Sequence, residues 1–245
     1  MNGYSTISEK NVSSTLDEIE KTGEKKYVEQ FNNYINEYGH LFGQCEQFKD
    51  NHSAFSVNTF THGDAHAGNV MFKYGEENGG TNVRDAVFID FQLTFYKPAV
   101  LDLHKFIWTS TTTDARKHLV KILKVYHEAF MESICQLGSP LKYKYDEFLN
   151  DFRRTFVDGL YWATHIFVSM VCTPREERIG MEELGALIKD MIENYDNPEF
   201  KAEYDTLIGK LEESSRKNVK YQTKMKEFMD DLAELDLIYS GSLWL

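Results

Sequence analysis

Cysteine and proline are scarce in this chain, and each scarcity excludes or favours a class of structure. The 245 residues include three cysteines, Cys45, Cys135 and Cys172, which lie far apart and form no CxxC pair. We therefore expect neither a disulfide framework nor a structural zinc site. Only four prolines occur, which leaves room for long helices because proline breaks helix interiors.

Long apolar segments are also missing. Residues 1–14, MNGYSTISEKNVSS, are polar, so the sequence predicts no signal peptide. The longest apolar-rich run, 160–172, has 13 residues, which is too short to span a bilayer and is typical of a buried helix. From both features we expect a cytoplasmic protein with no membrane partner.

Positive charge is in short supply. The chain has 27 Lys and Arg against 39 Asp and Glu, for a net charge of −12. Such a surface argues against nucleic acid or an anionic membrane as the main partner. It leaves a nucleotide substrate open, because Mg²⁺ can bridge carboxylates and phosphates.

What the chain does have is enough apolar residues for a core, arranged mostly with helical spacing. Hydrophobic residues make up 42%, and the periodicity over 24–48 predicts a helix. Two β-prone runs, 70–74 and 83–91, predict a hairpin whose buried centre is 87–89. The remainder predicts helices at 99–109, 114–136, 145–172, 176–195 and 199–235. The fold class is therefore mostly α with a small β-hairpin.

Three polar residues flank the hairpin at positions suited to phosphoryl transfer. Asp64 lies in the segment THGDAHAGN, Asn69 follows it five residues later, and Asp90 ends the returning strand. Phosphoryl transfer needs a carboxylate to accept the proton of the acceptor hydroxyl, and oxygen ligands for Mg²⁺. Asp64 suits the first role, while Asn69 and Asp90 suit the second. The same Asp-to-Asn spacing occurs in kinase catalytic loops.

Two other interpretations of this segment remain open. Asp64 and Asn69 could be ordinary turn residues, since both types favour turns. His62 and His66 flank Asp64 and suggest a zinc-dependent hydrolase, but the further His and Asp ligands of such a site are missing.

Downstream, His104 and Lys105 are interpreted as packing or surface residues. The cluster of Tyr161, Trp162 and His165 is interpreted as core, with a pocket wall as the alternative.

The stretches THGDAHAGNVMFKY and VFIDFQLTFYKPAVLDLHKF resemble the ecdysteroid kinase-like family, also called CHK kinase-like. Its relatives are the choline kinases and aminoglycoside phosphotransferases. The resemblance covers about 25–235, with sharp motifs only in its first part. It implies a protein-kinase-like fold and an O-kinase for a small-molecule alcohol, such as a steroid, that uses ATP and Mg²⁺.

The resemblance also implies roles for individual residues. It makes Asp64 the catalytic base, and Asn69 and Asp90 the ligands of the metal and its nucleotide. It makes His62, Gly63 and Asp102 the structural support of the site. Many relatives carry an aromatic residue, usually Trp, where this chain has His66, and that difference affects only the local packing.

Kinases of this superfamily also use a glycine-rich phosphate loop and a strand lysine in a smaller β-lobe. The glycines before His62 form no GxG cluster, and no Val-Ala-Ile-Lys-like strand occurs there. We therefore expect 1–22 to be a polar N-terminal segment, loose at its start, and 23–245 to be the C-terminal catalytic lobe, in a truncated chain with little turnover.

Two consequences follow from the expected loss of that lobe. The alternative function is a catalytically weak fragment that acts as a binding protein. The apolar face that the missing lobe would cover predicts self-association.

Overall fold

The computed structural model of the chain describes residues 3–21, 23, 27–38, 57–75, 82–164, 206, 209–210, 213 and 216–239. These residues are mostly helical. The helices are α1 (Gly3–Glu20), α2 (Tyr27–Tyr38), α3 (Leu101–Ser110), α4 (Thr113–Arg116), α5 (Leu119–Gln136), α6 (Tyr145–Arg154), α7 (Phe156–Thr164) and α8 (Val219–Tyr239). The strands are β1 (Asn58–Thr61), β2 (Val70–Tyr74), β3 (Val83–Phe88) and β4 (Phe95–Pro98).

The chain divides into two compact units, and the first comprises residues 1–43 and 164–245. In it, α1 packs against α2 and α8 and buries Val12, Leu16 and Ile19. Their spacing of three and four residues puts them on one helix face. Helix α1 was not predicted from the sequence, because few apolar residues interrupt this polar stretch.

The second unit comprises residues 44–163 and contains both sheets. β2 pairs antiparallel with β3, with Val70 opposite Phe88, so the predicted hairpin is confirmed. β1 pairs antiparallel with β4, with Thr61 opposite Phe95. β4 was not predicted, because its residues FYKP end in a proline and their partner strand lies far away in sequence.

Helices α3 to α7 supply the core of the second unit. Among its described residues, the largest fully buried side chains are Ile107, Leu119, Leu123, Phe148 and Phe152. The single helix predicted over 145–172 is wrong, because the chain leaves helical geometry at Thr155. The Thr155 hydroxyl donates to the carbonyl of Asp151 at 2.9 Å, and such bonds compete with the helical backbone ladder.

Several predicted elements extend beyond the described part of the chain. The helix predicted over 24–48 is present over 27–38 as α2. Its other residues, 24–26 and 39–48, lie outside the described residues, as does the whole helix predicted over 176–195. The helix predicted over 199–235 is represented mainly by α8. Within the described ranges, no helix is both long and apolar enough to cross a membrane.

The predicted burial of residues 87–89 is wrong. Val87 is 59% exposed, Phe88 41% and Ile89 39%. A strand buries its apolar side chains only where another layer covers its face, and among the described residues the sheet that contains β3 has two strands. The fold class, mostly α with a small hairpin, is confirmed in the described residues, whereas its assignment to a kinase lobe stays a prediction.

Candidate active site

The loop between β1 and β2, residues 62–69, turns sharply at Gly63. Its φ of +80° is a conformation that glycine adopts at little cost. A Cβ on this residue would meet the Leu93 carbonyl oxygen at 1.8 Å. The close approach of Leu93 therefore requires glycine, and the turn directs the chain onward to Asp64.

Asn69 lies beside Asp64 at the end of this loop. The Asn69 side-chain amide donates to the Asp64 carbonyl at 3.0 Å and to Asp64 Oδ2 at 2.9 Å. These two bonds fix which side of the Asn69 amide is nitrogen. Its oxygen consequently points away from Asp64, where it can serve as a ligand for a cation.

Asp90 follows β3, the second strand of the hairpin, whereas the loop 62–69 precedes β2, its first strand. The backbone N–H of Ile89 donates to the Asn69 carbonyl at 2.9 Å, so the residue just before Asp90 is bonded to the predicted metal ligand. Asp90 itself has a left-handed backbone, with φ of 66° and ψ of 62°. A non-glycine residue in this region is uncommon, and such conformations cluster at functional sites.

His62 links the segment that contains Asp64 to the one that contains Asp90. Its Nε2 lies 2.8 Å from the Ile89 carbonyl oxygen, and the Asp64 N–H donates to its Nδ1 at 3.2 Å. Because a carbonyl only accepts, Nε2 carries the proton and Nδ1 is the acceptor. Both ring nitrogens are therefore occupied, which leaves His62 without a lone pair for the zinc ion of a hydrolase.

Asp102, in the first turn of α3, holds the start of the loop. Its Oδ2 accepts the His62 N–H at 2.5 Å, and its Oδ1 accepts the Gly63 N–H at 2.9 Å. Hydrogen bonds from backbone amides to a carboxylate are among the stronger kinds. The turn that precedes Asp64 is thus hydrogen-bonded to α3.

His66 shapes the second half of the loop. Its Nδ1 accepts the Gly68 N–H at 3.0 Å and so caps the short 3₁₀ turn Ala67–Asn69. Its Nε2 lies 3.5 Å from Asp64 Oδ2. The His66 imidazole therefore has a polar role in this loop, where the sequence analysis expected an effect on packing alone.

Lys105 is a site residue that the sequence analysis placed among packing or surface residues. Its ammonium group forms an ion pair with Asp64 Oδ1, lies 3.3 Å from the Gly63 carbonyl oxygen and sits 3.7 Å from the centre of the Trp162 ring. One signal pointed to it, since Lys105 follows Asp102 at the three-residue spacing that places two side chains on one helix face.

These neighbours determine the charge of Asp64. Burial on its own would raise the pKa of Asp64, but the hydrogen bond and positive charge of Lys105 oppose it. With smaller contributions from His66 and Asn69, the net effect lowers the pKa below its ordinary value. Asp64 is therefore ionised at neutral pH, the state in which a carboxylate can accept a proton.

Asn69 and Asp90 suit a magnesium ion better than a transition metal. Mg²⁺ prefers oxygen ligands and is bound by one or two carboxylates together with substrate phosphates. The two residues offer an amide oxygen and an exposed carboxylate. Among the described residues, no group of three or more His, Cys, Asp and Glu side chains is placed to hold a metal ion.

Comparison with protein families identifies the chain. The model of the ecdysteroid kinase-like family matches residues 2–139, which is more than half of the 245 residues. The chain belongs to the ecdysteroid kinase-like family. The match begins earlier than the resemblance drawn from the motifs and ends sooner, and it includes α1 and the whole candidate site. No curated protein and no solved structure matches the chain.

Membership in this family points to a kinase-like phosphotransferase. The predicted site residues of the loop are joined by direct hydrogen bonds, and Ile89 connects Asp90 to them. The specific roles of these residues remain predictions.

Proposed function

We propose that this chain transfers a phosphoryl group from ATP to the hydroxyl of a small-molecule alcohol, with Mg²⁺ as the metal. The observation that carries the proposal is the hydrogen-bonded pair of an ionised Asp64 and an Asn69 whose amide oxygen is directed away from it. Asp90 directly follows Ile89, whose N–H donates to the Asn69 carbonyl. This is the set of groups that phosphoryl transfer needs. An ecdysteroid is the acceptor that the family description suggests.

In the proposed reaction, Asp64 hydrogen-bonds the acceptor hydroxyl and takes its proton. The hydroxyl oxygen forms a bond to the γ-phosphorus, and the bond from that phosphorus to the β–γ bridging oxygen breaks, which releases ADP. Asn69 and Asp90 would hold the magnesium ion, which when bound neutralises phosphate charge. His62, Gly63 and Asp102 keep the loop in shape through the contacts described above.

In phosphotransferases most of the rate enhancement comes from positioning and electrostatic stabilisation of the phosphates. Single-turnover assays with excess protein separate this transfer step from product release, so they are the suitable measurement of activity.

A second candidate function, a binding protein of low catalytic activity, is favoured by the exposed apolar surface of the hairpin. Met71, Phe72, Tyr74, Val83 and Val87 are each more than 40% exposed. Exposed apolar patches of this kind mark interaction surfaces. In this alternative the hairpin binds a second copy of the chain or another protein, and the loop 62–69 keeps the residues of a phosphotransfer site but has little activity.

Thermal stabilisation by Mg-ATP separates the two candidates. A ligand that binds the native state raises its stability by mass action, so Mg-ATP should raise the melting temperature of the wild type. Asp90→Ala should abolish the shift, whereas Asp85→Ala, an exposed acid on β3, should keep it. No shift in the wild type would overturn nucleotide binding by this chain and would leave the binding-protein alternative.

A further inference from the structure

Lys105 is a buried cation. Only 6% of the residue is exposed, although lysine is almost never buried unless it is paired. Its pairing partner is the carboxylate that we propose as the catalytic base. A buried charge requires compensation by specific partners, so the position of Lys105 and the position of Asp64 depend on each other.

Trp162, which is itself bonded to Asp158, gives the ammonium group a second contact besides Asp64. The Lys105 ammonium lies over the face of the Trp162 ring at 3.7 Å, a distance that gives a favourable cation–π interaction. The Trp162 indole N–H in turn donates to Asp158 Oδ2 at 3.1 Å. The orientation of the ring is thus held within α7, and the ring holds the lysine.

Helix α3 is the platform that presents Lys105 to the loop. Asp102 binds the backbone of the loop one turn before Lys105. At the end of the same helix, the Ser110 hydroxyl accepts the Ala67 N–H at 2.8 Å. The loop is therefore attached to α3 near both ends of the helix, and Lys105 is the attachment that contacts the reactive carboxylate.

The two oxygens of Asp64 have different partners. Lys105 occupies Oδ1, and the Asn69 amide donates to Oδ2. A carboxylate held on both sides cannot rotate freely, and each oxygen still has a second lone pair for an acceptor hydroxyl. We propose that Lys105 is a positioning residue of the phosphotransfer site, which holds the Asp64 carboxylate in its reactive orientation by a contact braced on Trp162.

This inference rests on the proposed function, because a positioning residue has a meaning only if Asp64 acts on a substrate. It goes beyond that function by assigning a role to Lys105, which lies outside the motif residues. Small displacements of a reacting group lower the rate strongly while leaving ligand binding intact. Loss of Lys105 should therefore lower the rate constant of transfer and spare the binding of the metal–nucleotide complex.

The test uses the full chain with Lys105→Met, Lys105→Arg and the control Lys117→Met. Met is close to Lys in length but uncharged, Arg keeps the charge, and Lys117 forms an exposed ion pair with Asp114. Single-turnover transfer from labelled ATP to an ecdysteroid gives the rate, and titration with Mn-ATP gives the affinity. Nitrogen-15 NMR of the lysine ammonium groups reports the Lys105 contact independently of activity.

We expect Lys105→Met to lower the transfer rate about tenfold or more with the Mn-ATP dissociation constant changed less than about twofold. Lys105→Arg should recover part of the rate, and Lys117→Met should match the wild type. In NMR, a slowly exchanging ammonium signal should be present in the wild type and absent from both Lys105→Met and Asp64→Asn, because buried hydrogen bonds slow proton exchange.

Two results would overturn the inference, and they are distinguishable. If the wild type transfers phosphate and Lys105→Met transfers it equally fast, the positioning role is wrong and the proposed function stands. If the wild type transfers nothing above the Asp64→Asn background, the proposed function fails. An intact ammonium signal in that second case would show that the ion pair is purely structural.

Discussion

The loop between β1 and β2, residues 62–69, and the hairpin that follows it are stabilised by different kinds of contact. The loop has few apolar side chains, yet its backbone N–H groups are bonded to Asp102, Ser110 and His66. The hairpin is rich in apolar side chains, yet both its strands are largely exposed. Its order comes from one backbone ladder, and an isolated two-stranded hairpin is only marginally stable.

This difference predicts where a substitution should have a large effect. In the loop, single polar atoms or the lack of a Cβ determine the conformation, so small changes should have large effects. In the hairpin, side chains already contact solvent, so even a change of polarity should alter stability little.

The largest effect is expected for Gly63→Ala. The new Cβ would overlap the Leu93 carbonyl at a positive φ, and the free energy of unfolding should fall by about 3 kcal/mol or more. Gly138→Ala is the matched control, because Gly138 also has a positive φ but no atom within 4 Å of the added Cβ. It should cost only about 1 kcal/mol. Chemical denaturation measures both, and equal losses would contradict the steric account.

Asp102→Ala should have the next largest effect. It leaves the His62 and Gly63 N–H groups without their acceptor. Asp102 is only partly buried, so water can replace part of this bonding, and the free energy of unfolding should fall by about 2 kcal/mol. Amide hydrogen exchange at these two residues should accelerate strongly. Asp114→Ala, which removes an exposed carboxylate, should leave that exchange unchanged. If the amides of His62 and Gly63 stay protected from exchange in Asp102→Ala, the proposed support of the loop by Asp102 is wrong.

Low pH should reduce the free energy of unfolding through His104, a buried residue of α3. Burial lowers the pKa of His104 to about 3, against the opposing effect of its bond to the Phe152 carbonyl. Since the unfolded state binds the proton first, stability should decline as the pH falls from about 6.5 towards 3, by about 1.4 kcal/mol per unit.

Urea denaturation at pH 7 and pH 5 measures this decline. The variant His104→Phe should lose the His104 share of it, whereas His118→Phe, at an exposed position, should not. If His104→Phe keeps the full pH dependence of the wild type, the neutral buried imidazole is ruled out as its source.

The smallest effect on stability is expected for Val87→Lys in the hairpin. Val87 is 59% exposed, so the free energy of unfolding should change by less than about 0.5 kcal/mol. If the hairpin mediates self-association as proposed, light scattering should show fewer oligomers for this variant. Val120→Lys, an exposed position on α5, is the control. A wild type that is monomeric at high concentration would contradict self-association.

The same contrast explains what could be predicted from the sequence. The Asp64-to-Asn69 spacing and the strands β2 and β3 are local patterns, so they could be recognised in the sequence. The exposure of Val87 depends on whether another layer covers the sheet, which a local pattern does not encode. The contact between Lys105 and Asp64 joins residues 41 apart in sequence, so only the fold brings it into view.

The helix α1 was missed for a related reason. Its buried face consists of Val12, Leu16 and Ile19, which is a weak pattern in an otherwise polar segment. Packing against α2 and α8 stabilises it, and tertiary packing supplies most helical stability in proteins.

The most direct test of the central claim is single-turnover transfer of labelled phosphate from Mg-ATP to an ecdysteroid by the wild type and by Asp64→Asn. The variant keeps Asn69 and Asp90, so it should bind Mn-ATP as the wild type does. Its transfer rate should be lower by about 100-fold, the contribution typical of a general base. Equal transfer rates in the two proteins would contradict the assignment of Asp64 as the catalytic base.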